Sequence, residues 1–146
     1  MGIEWFGAGF LGWCLLIGAA DDSPQFVEVE GAVPGPVHWT EAVVPVDVNG
    51  DGRLDLLCVN CDGWARPGDM GAKSDQPLAP TLLINESEPG ALRFIDGTAQ
   101  YLPADFMVFG KDAIAADIDG DGHADLVFAC AFGNQQRLLR WDPAGG

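Results

Sequence analysis

Short apolar runs bounded by turn residues recur through residues 40–141 and alternate with polar segments. Runs of about four to eight residues with such boundaries are typical of buried strands, whereas helices are usually longer. The first group of runs contains Ala42–Val46, Leu54–Val59, Thr81–Asn85 and Leu92–Ile95. The second group contains Ala113–Ala116, Ala124–Cys130 and Arg137–Trp141. The pattern predicts an all-β protein built from antiparallel strands.

Two acidic stretches of nine residues connect the first and second runs of each group. Residues 47–55 and 117–125 place oxygen-bearing side chains at positions 1, 3, 5 and 9 around a glycine at position 6. A calcium ion needs about six to eight oxygen ligands, and a short chain supplies them only by wrapping tightly around the ion. Glycine permits that turn. Position 7, which is Arg53 or His123, would contribute its backbone carbonyl, so its side chain should point away from the metal.

Other readings of these two loops fit less well. An EF-hand loop ends in a bidentate Glu at position 12 and lies between helices, but here position 12 is Cys58 or Phe128 and strands flank each loop. The flanking strands also disfavour a dockerin. Asp-Gly and Asn-Gly pairs make tight hairpin turns, yet a turn needs one or two such residues rather than four oxygens at regular spacing, twice. Calcium loops are therefore favoured over bare acidic turns.

The chain is an internal repeat, which becomes visible when the two loops are aligned so that Asp47 falls onto Asp117. In this alignment Val43–Val46 falls onto Ala113–Ala116, and Phe26–Glu30 falls near Phe94–Thr98. One period contains four predicted strands, the number in a propeller blade. The second period ends after its third strand.

The chain resembles the FG-GAP/VCBS repeats found in integrin alpha-chain propellers and in many bacterial secreted and surface proteins. The resemblance covers about residues 26–142 and is carried by two D-x-[DN]-G-D-G-x-x-D-L cores, with weaker matches at Leu82–Asn85, Phe94–Ala99 and Gly133–Leu139. It implies calcium bound between the first two strands of each blade, about two ions in all, in a propeller that acts as a binding or adhesion scaffold. The implied ligands are Asp47, Asn49, Asp51, the Arg53 carbonyl and Asp55, then Asp117, Asp119, Asp121, the His123 carbonyl and Asp125.

The expected architecture is an incomplete propeller of about two repeats within residues 21–146, the first at about 26–93 and the second, truncated, at about 94–146. A closed propeller typically has four to eight blades, and 146 residues hold fewer than two complete ones. One alternative is a fragment of a larger propeller enzyme or surface protein whose active part is absent. Another is self-assembly, in which Phe26–Glu30 supplies the missing outer strand to another copy and several chains close a ring.

The net charge and the absence of catalytic motifs limit the classes of function that the sequence allows. The chain carries 22 acidic and 7 basic residues and a formal charge of −15, which excludes nucleic acid as a partner because phosphate recognition needs a basic face. No nucleophile elbow, phosphate-binding glycine loop or H-E-x-x-H motif is present. Ion-bound carboxylates would not serve as proton donors, so we expect no enzyme activity. A protein or carbohydrate ligand is the expected partner, with Trp64, in the long insertion after Asn60, equally suited to partner contact and to packing.

Residues 1–20 are expected to be a signal peptide, because Trp5–Ile17 is apolar and Gly18–Ala20 precedes an acidic segment. The apolar run is short for a membrane span. The expected location is therefore secreted, periplasmic or at the cell surface. Three cysteines follow this segment: Cys58, Cys61 and Cys130. A structural disulfide involving Cys61 is favoured over a redox C-x-x-C motif, although bridging Cys58 to Cys61 would require a turn at Asn60.

Overall fold

The computed structural model describes residues 25–35, 39–61, 77–131 and 135–143. The predicted signal peptide at 1–20 and the insertion that contains Trp64 lie outside these residues. The described part forms two antiparallel sheets and one four-residue helix, α1 (Thr98–Tyr101). The first sheet contains, in spatial order, β1 (Thr40–Val46), β2 (Asp55–Asn60), β3 (Thr81–Asn85) and β4 (Phe94–Asp96). The second contains β5 (Gly110–Ala116), β6 (Asp125–Cys130) and β7 (Arg137–Leu139). The all-β prediction is confirmed.

Two predicted strands are shorter than the apolar runs suggested. The run Leu92–Ile95 gives a strand only from Phe94, because the Arg93 backbone N–H donates to the Ser87 hydroxyl at 3.0 Å. Strand β7 ends at Leu139 rather than at Trp141, and no described strand pairs with its outer edge. The equivalent Asn85 remains in β3, where it pairs with Phe94 of β4.

The second sheet repeats the register of the first. Val44 pairs with Leu57, and their counterparts in the repeat, Ile114 and Val127, pair with each other. The same irregularity follows the first pair in each ladder, between Thr40 and Ala42 and between Gly110 and Asp112. The third strands also correspond, since Leu82 pairs with Leu57 and Leu138 with Val127. Strands β3 and β7 are separated by fewer residues than β1 and β5 or β2 and β6 are. The reason is that the connection from β2 to β3 is longer than the connection from β6 to β7.

One face of the first sheet packs on one face of the second to form the core. Val46, Leu57 and Val59 come from the first sheet, and Ala113 and Phe128 come from the second. All five side chains are buried. Full burial of a Val, Leu or Phe side chain contributes roughly 1.5–3 kcal/mol, so this interface holds the two sheets together.

The sheets also meet through a close approach and an ion pair. A Cβ atom at Gly110 would overlap the Val59 side chain, so the approach of β5 to β2 requires glycine at this position. Lys111 on β5 donates to Glu41 on β1 at 2.6 Å, across the junction. Burial acts to lower the pKa of Lys111, but the hydrogen bond to Glu41 and the charge of Glu41, together with the nearby Cys61 side chain, outweigh it and leave that pKa raised.

The expected disulfide involving Cys61 is not found among the described residues. Cys58, Cys61 and Cys130 are free cysteines, and Cys61 is buried. Because β2 stays extended through Asn60, side chains three residues apart point to opposite faces. In the described part of the chain, no helix is long and apolar enough to span a membrane.

Candidate metal centre

Three carboxylates converge in the loop between β5 and β6. Asp117, Asp119 and Asp121 each place an oxygen within 4.8 Å of the others, and all three residues are exposed. Three charges this close repel one another, so the arrangement favours a divalent cation. Carboxylate oxygens are ligands that calcium and magnesium prefer.

The backbone of this loop folds around the first carboxylate. Asp117 Oδ1 accepts the N–H groups of Gly120 at 2.7 Å and Asp121 at 3.1 Å, and Oδ2 accepts that of Gly122 at 3.0 Å. Gly120 and Gly122 have φ of 82° and 91°, which L-residues rarely adopt. The loop is therefore pre-shaped by its own side chains and its two glycines.

The loop between β1 and β2 repeats these bonds at the equivalent positions. Asp47 Oδ1 accepts from Gly50 at 2.8 Å and from Asp51 at 3.1 Å, and Oδ2 accepts from Gly52 at 2.9 Å. Asn49 occupies the place of Asp119 and likewise accepts the N–H two residues on, at 3.0 Å. This loop has the same backbone cradle with one carboxylate fewer at positions 1, 3 and 5.

The last acidic residue of each loop is buried and accepts backbone hydrogen bonds. Asp55 and Asp125 were predicted as calcium ligands, and both are buried, at 0% and 1% exposure. Asp55 accepts the N–H of Val48 at 3.0 Å and that of Asn85 at 2.7 Å. Asp125 makes the equivalent bonds to Ile118 and Trp141, each at 3.0 Å. Asp55 thus ties its loop to β3, and Asp125 ties its loop to the residue two positions after β7. Asp125 is not part of the three-carboxylate cluster.

The side chains at position 7 of the two loops, Arg53 and His123, make different contacts. Arg53, whose side chain was expected to point away from the metal, contacts one of the expected ligands: its Nη2 lies 2.6 Å from Asp51 Oδ2, and its Nε donates to the Asn85 carbonyl at 2.8 Å. His123 instead stacks on Trp141, with ring centroids 5.3 Å apart. A long cationic side chain reaches back to the nearest carboxylate, whereas an imidazole packs on a neighbouring ring.

The electrostatics of the loops differ accordingly. The pKa of Asp51 is lowered, chiefly by the backbone N–H of Arg53, with further lowering by the Asn49 amide and the Arg53 guanidinium and an opposing effect of burial. In the second loop the nearest cation is more distant, since Arg140 Nη1 lies 3.7 Å from Asp119 Oδ2. The second loop therefore has the greater uncompensated negative charge.

Trp141 lies beside the second loop, a location that the sequence did not predict for it. It lies between Tyr101 and His123, with centroids 6.5 Å and 5.3 Å away. Its indole N–H is buried and has no acceptor among the described residues. It also lines a cleft of about 630 Å³ that α1 borders. Its position at the end of the last predicted apolar run was the available signal.

Comparison of the chain with protein-family models, with curated proteins and with solved structures gave no match.

Proposed function

We propose that this chain is a calcium-stabilised β-propeller-type repeat module, exported from the cell, that acts as a binding scaffold for a protein or carbohydrate ligand. The observation that carries the proposal is the convergence of the Asp117, Asp119 and Asp121 carboxylates within 4.8 Å. The two sheets would be successive blades. Their identical register and face-to-face packing support that assignment.

The donor set fits a hard cation. The side chains of Asp117, Asp119 and Asp121 would hold it in the second loop, with the His123 carbonyl and Asp125 completing the set as the resemblance implies. In the first loop the equivalent groups are Asp47, Asn49, Asp51, the Arg53 carbonyl and Asp55. When bound, the ion would neutralise the clustered carboxylates and clamp the connection between two strands. Its role would be structural, because it would hold the loop that joins the first two strands of each sheet.

The two loops should bind with different strength. The second loop has four carboxylates, whereas the first has three and an Arg53 guanidinium already paired with one of them. A cation entering the first loop must displace or share that ion pair. We therefore expect two calcium-binding events, with the stronger one assigned to the second loop.

Calorimetric titration with calcium tests the proposal, with magnesium as the competing ion. Asp121→Asn should abolish the stronger event and Asp51→Asn the weaker one, while the exposed Asp105→Asn should change neither. Calcium at 100 times its dissociation constant stabilises the folded state by about 2.7 kcal/mol for each site, so EDTA should lower the melting temperature. Absence of binding heat together with a melting temperature that EDTA does not change would refute the proposal.

A further inference from the structure

The second sheet exposes an apolar face whose counterpart in the first sheet is the core of the molecule. Leu138 is 54% exposed, whereas Leu82, which holds the same place in the first sheet, is fully buried. Ala129 is exposed, whereas its counterpart Val59 is fully buried. Ile114 lies on the same face and is 59% exposed. We call this surface, formed by Ile114, Val127, Ala129 and Leu138, the open face of the second sheet.

The first sheet is also open along β1, on the side turned away from the second sheet, whereas Leu83 of β3 on that side is buried. Val43 is 54% exposed there and Pro45 is exposed. Their counterparts, Ala113 and Ala115, are buried and half-buried in the junction between the two sheets. Each open face is thus the equivalent of one half of the interface that already holds the sheets together. The two open faces are complementary to each other by the same register.

Among the described residues, the outer edge of β7 is likewise uncovered where the equivalent edge in the first sheet is covered. In the first sheet that edge is covered by β4, in which Phe94, Ile95 and Asp96 pair with β3. No described residue pairs with the outer edge of β7. The segment Phe26-Val-Glu28 carries the same sequence of residue types as β4, and Phe26 and Val27 are 91% and 75% exposed.

Chain order links these observations. Strand β4 completes the first sheet and is followed by α1 and then by β5, the first strand of the next sheet. Phe26–Glu28 likewise precedes β1, so its equivalent position is on the sheet that lies before β1. No such sheet lies among the described residues. The second sheet of another copy would provide one.

The charged residues at the junction between the two sheets are also compatible with a second copy packed on the open face of the second sheet. Glu41 on the first sheet meets Lys111 on the second, and these residues occupy the same position of the repeat. A second copy stacked on the open face of the second sheet by the same geometry would bring its own Glu41 toward Lys111. The contact between copies therefore pairs opposite charges, as the contact within the chain does.

We propose that copies of this chain stack head to tail, with the first sheet of one copy covering the open face of the second sheet of its neighbour and with its Phe26–Glu28 segment pairing with the neighbour's β7. An interface between unlike faces closes into a ring if the rotation permits and otherwise continues as a filament. A ring with the usual four to eight blades would contain roughly two to four copies. The inference depends on the repeat and its exposed faces, not on the metal sites.

Native mass spectrometry and light scattering of the full chain, in calcium and separately in EDTA, test the proposal. The expected mass is a multiple of 15.4 kDa, less any segment removed on export. Leu138→Lys should reduce the assembly to single copies, because a charge would enter an apolar junction. Met107→Lys is the matched control, since Met107 is 43% exposed and lies in the connection between α1 and β5, outside the strands of both sheets. It should leave the mass unchanged.

A second pair of variants tests the strand contact. Val27 stands where Ile95 stands in β4, so Val27→Pro removes a backbone N–H that the new ladder needs, whereas Val27→Thr keeps it. We expect the proline variant to lose the assembly and the threonine variant to retain it, with unchanged circular dichroism of the separated copies. An assembly that persists in EDTA without calcium binding would support this proposal and refute the proposed function alone. A wild-type chain that stays a single copy at high concentration, or an assembly that Leu138→Lys leaves intact, would overturn it.

Discussion

Replacement of Asp55 by asparagine is expected to destabilise the protein even without metal. Asp55 is fully buried, and its two oxygens accept the backbone N–H groups of Val48 and Asn85 at 3.0 and 2.7 Å. Asparagine has a single acceptor oxygen, so its amide nitrogen would face one of these two donors. A buried donor left without an acceptor costs about 1–3 kcal/mol, and a bond to a charged group is worth about 1.5–3 kcal/mol.

The expected loss for Asp55→Asn is therefore about 2–4 kcal/mol of the free energy of unfolding. That is a large share of the roughly 5–15 kcal/mol typical of a folded domain. The assay is urea unfolding in EDTA, followed by tryptophan fluorescence. The midpoint should fall while the dependence on urea stays constant. Performing it in EDTA separates the hydrogen-bonding role of Asp55 from its predicted role as a calcium ligand.

Two further variants complete the experiment. Asp125→Asn should show a loss of similar size, because Asp125 makes the equivalent bonds in the second sheet. Asp105→Asn changes an exposed carboxylate and should have little effect. If Asp55→Asn shifts the midpoint in EDTA no more than Asp105→Asn does, the buried carboxylate does not anchor the third strand and the reasoning fails.

Four other predictions follow from single contacts. Arg53→Ala should strengthen calcium binding by the first loop in a calorimetric titration, because it removes the competing guanidinium, and unchanged binding would contradict that view. Gly120→Ala should lower the free energy of unfolding by about 1–2 kcal/mol, measured by denaturant unfolding, because alanine is strained at positive φ, although no atom lies within 4 Å of the added methyl group. A double-mutant cycle on Glu41 and Lys111 should give a coupling of about 0.2–1 kcal/mol; since the folded pKa of Lys111 is raised, the coupling should be full below the usual lysine pKa and disappear as the pH rises through the folded value. Burial raises the pKa of Cys58, so iodoacetamide at mildly alkaline pH should label it more slowly in the folded protein than in urea, and equal rates would disprove its protection.

The sequence predicted the elements that depend on residues close together in the chain. The strand β3 was predicted at its observed bounds, Thr81–Asn85, because an apolar run between turn residues has few other ways to bury its side chains. The glycine-centred loops were predicted for a similar reason, since the bonds from Asp117 reach only three to five residues along the chain. The correspondence between the two halves of the chain followed from comparing the two loops.

Only the tertiary structure decided features that join distant residues. The bond from the Asn85 N–H to Asp55 spans 30 residues, and the Arg53 contact to the Asn85 carbonyl spans 32. The apolar pattern also could not tell which face of each sheet would be covered, because Leu82 and Leu138 are the same residue in the same register and differ only in what lies above them. Local sequence sets which side chains share a face of a strand. The packing of one sheet on the other determines which of those faces is buried.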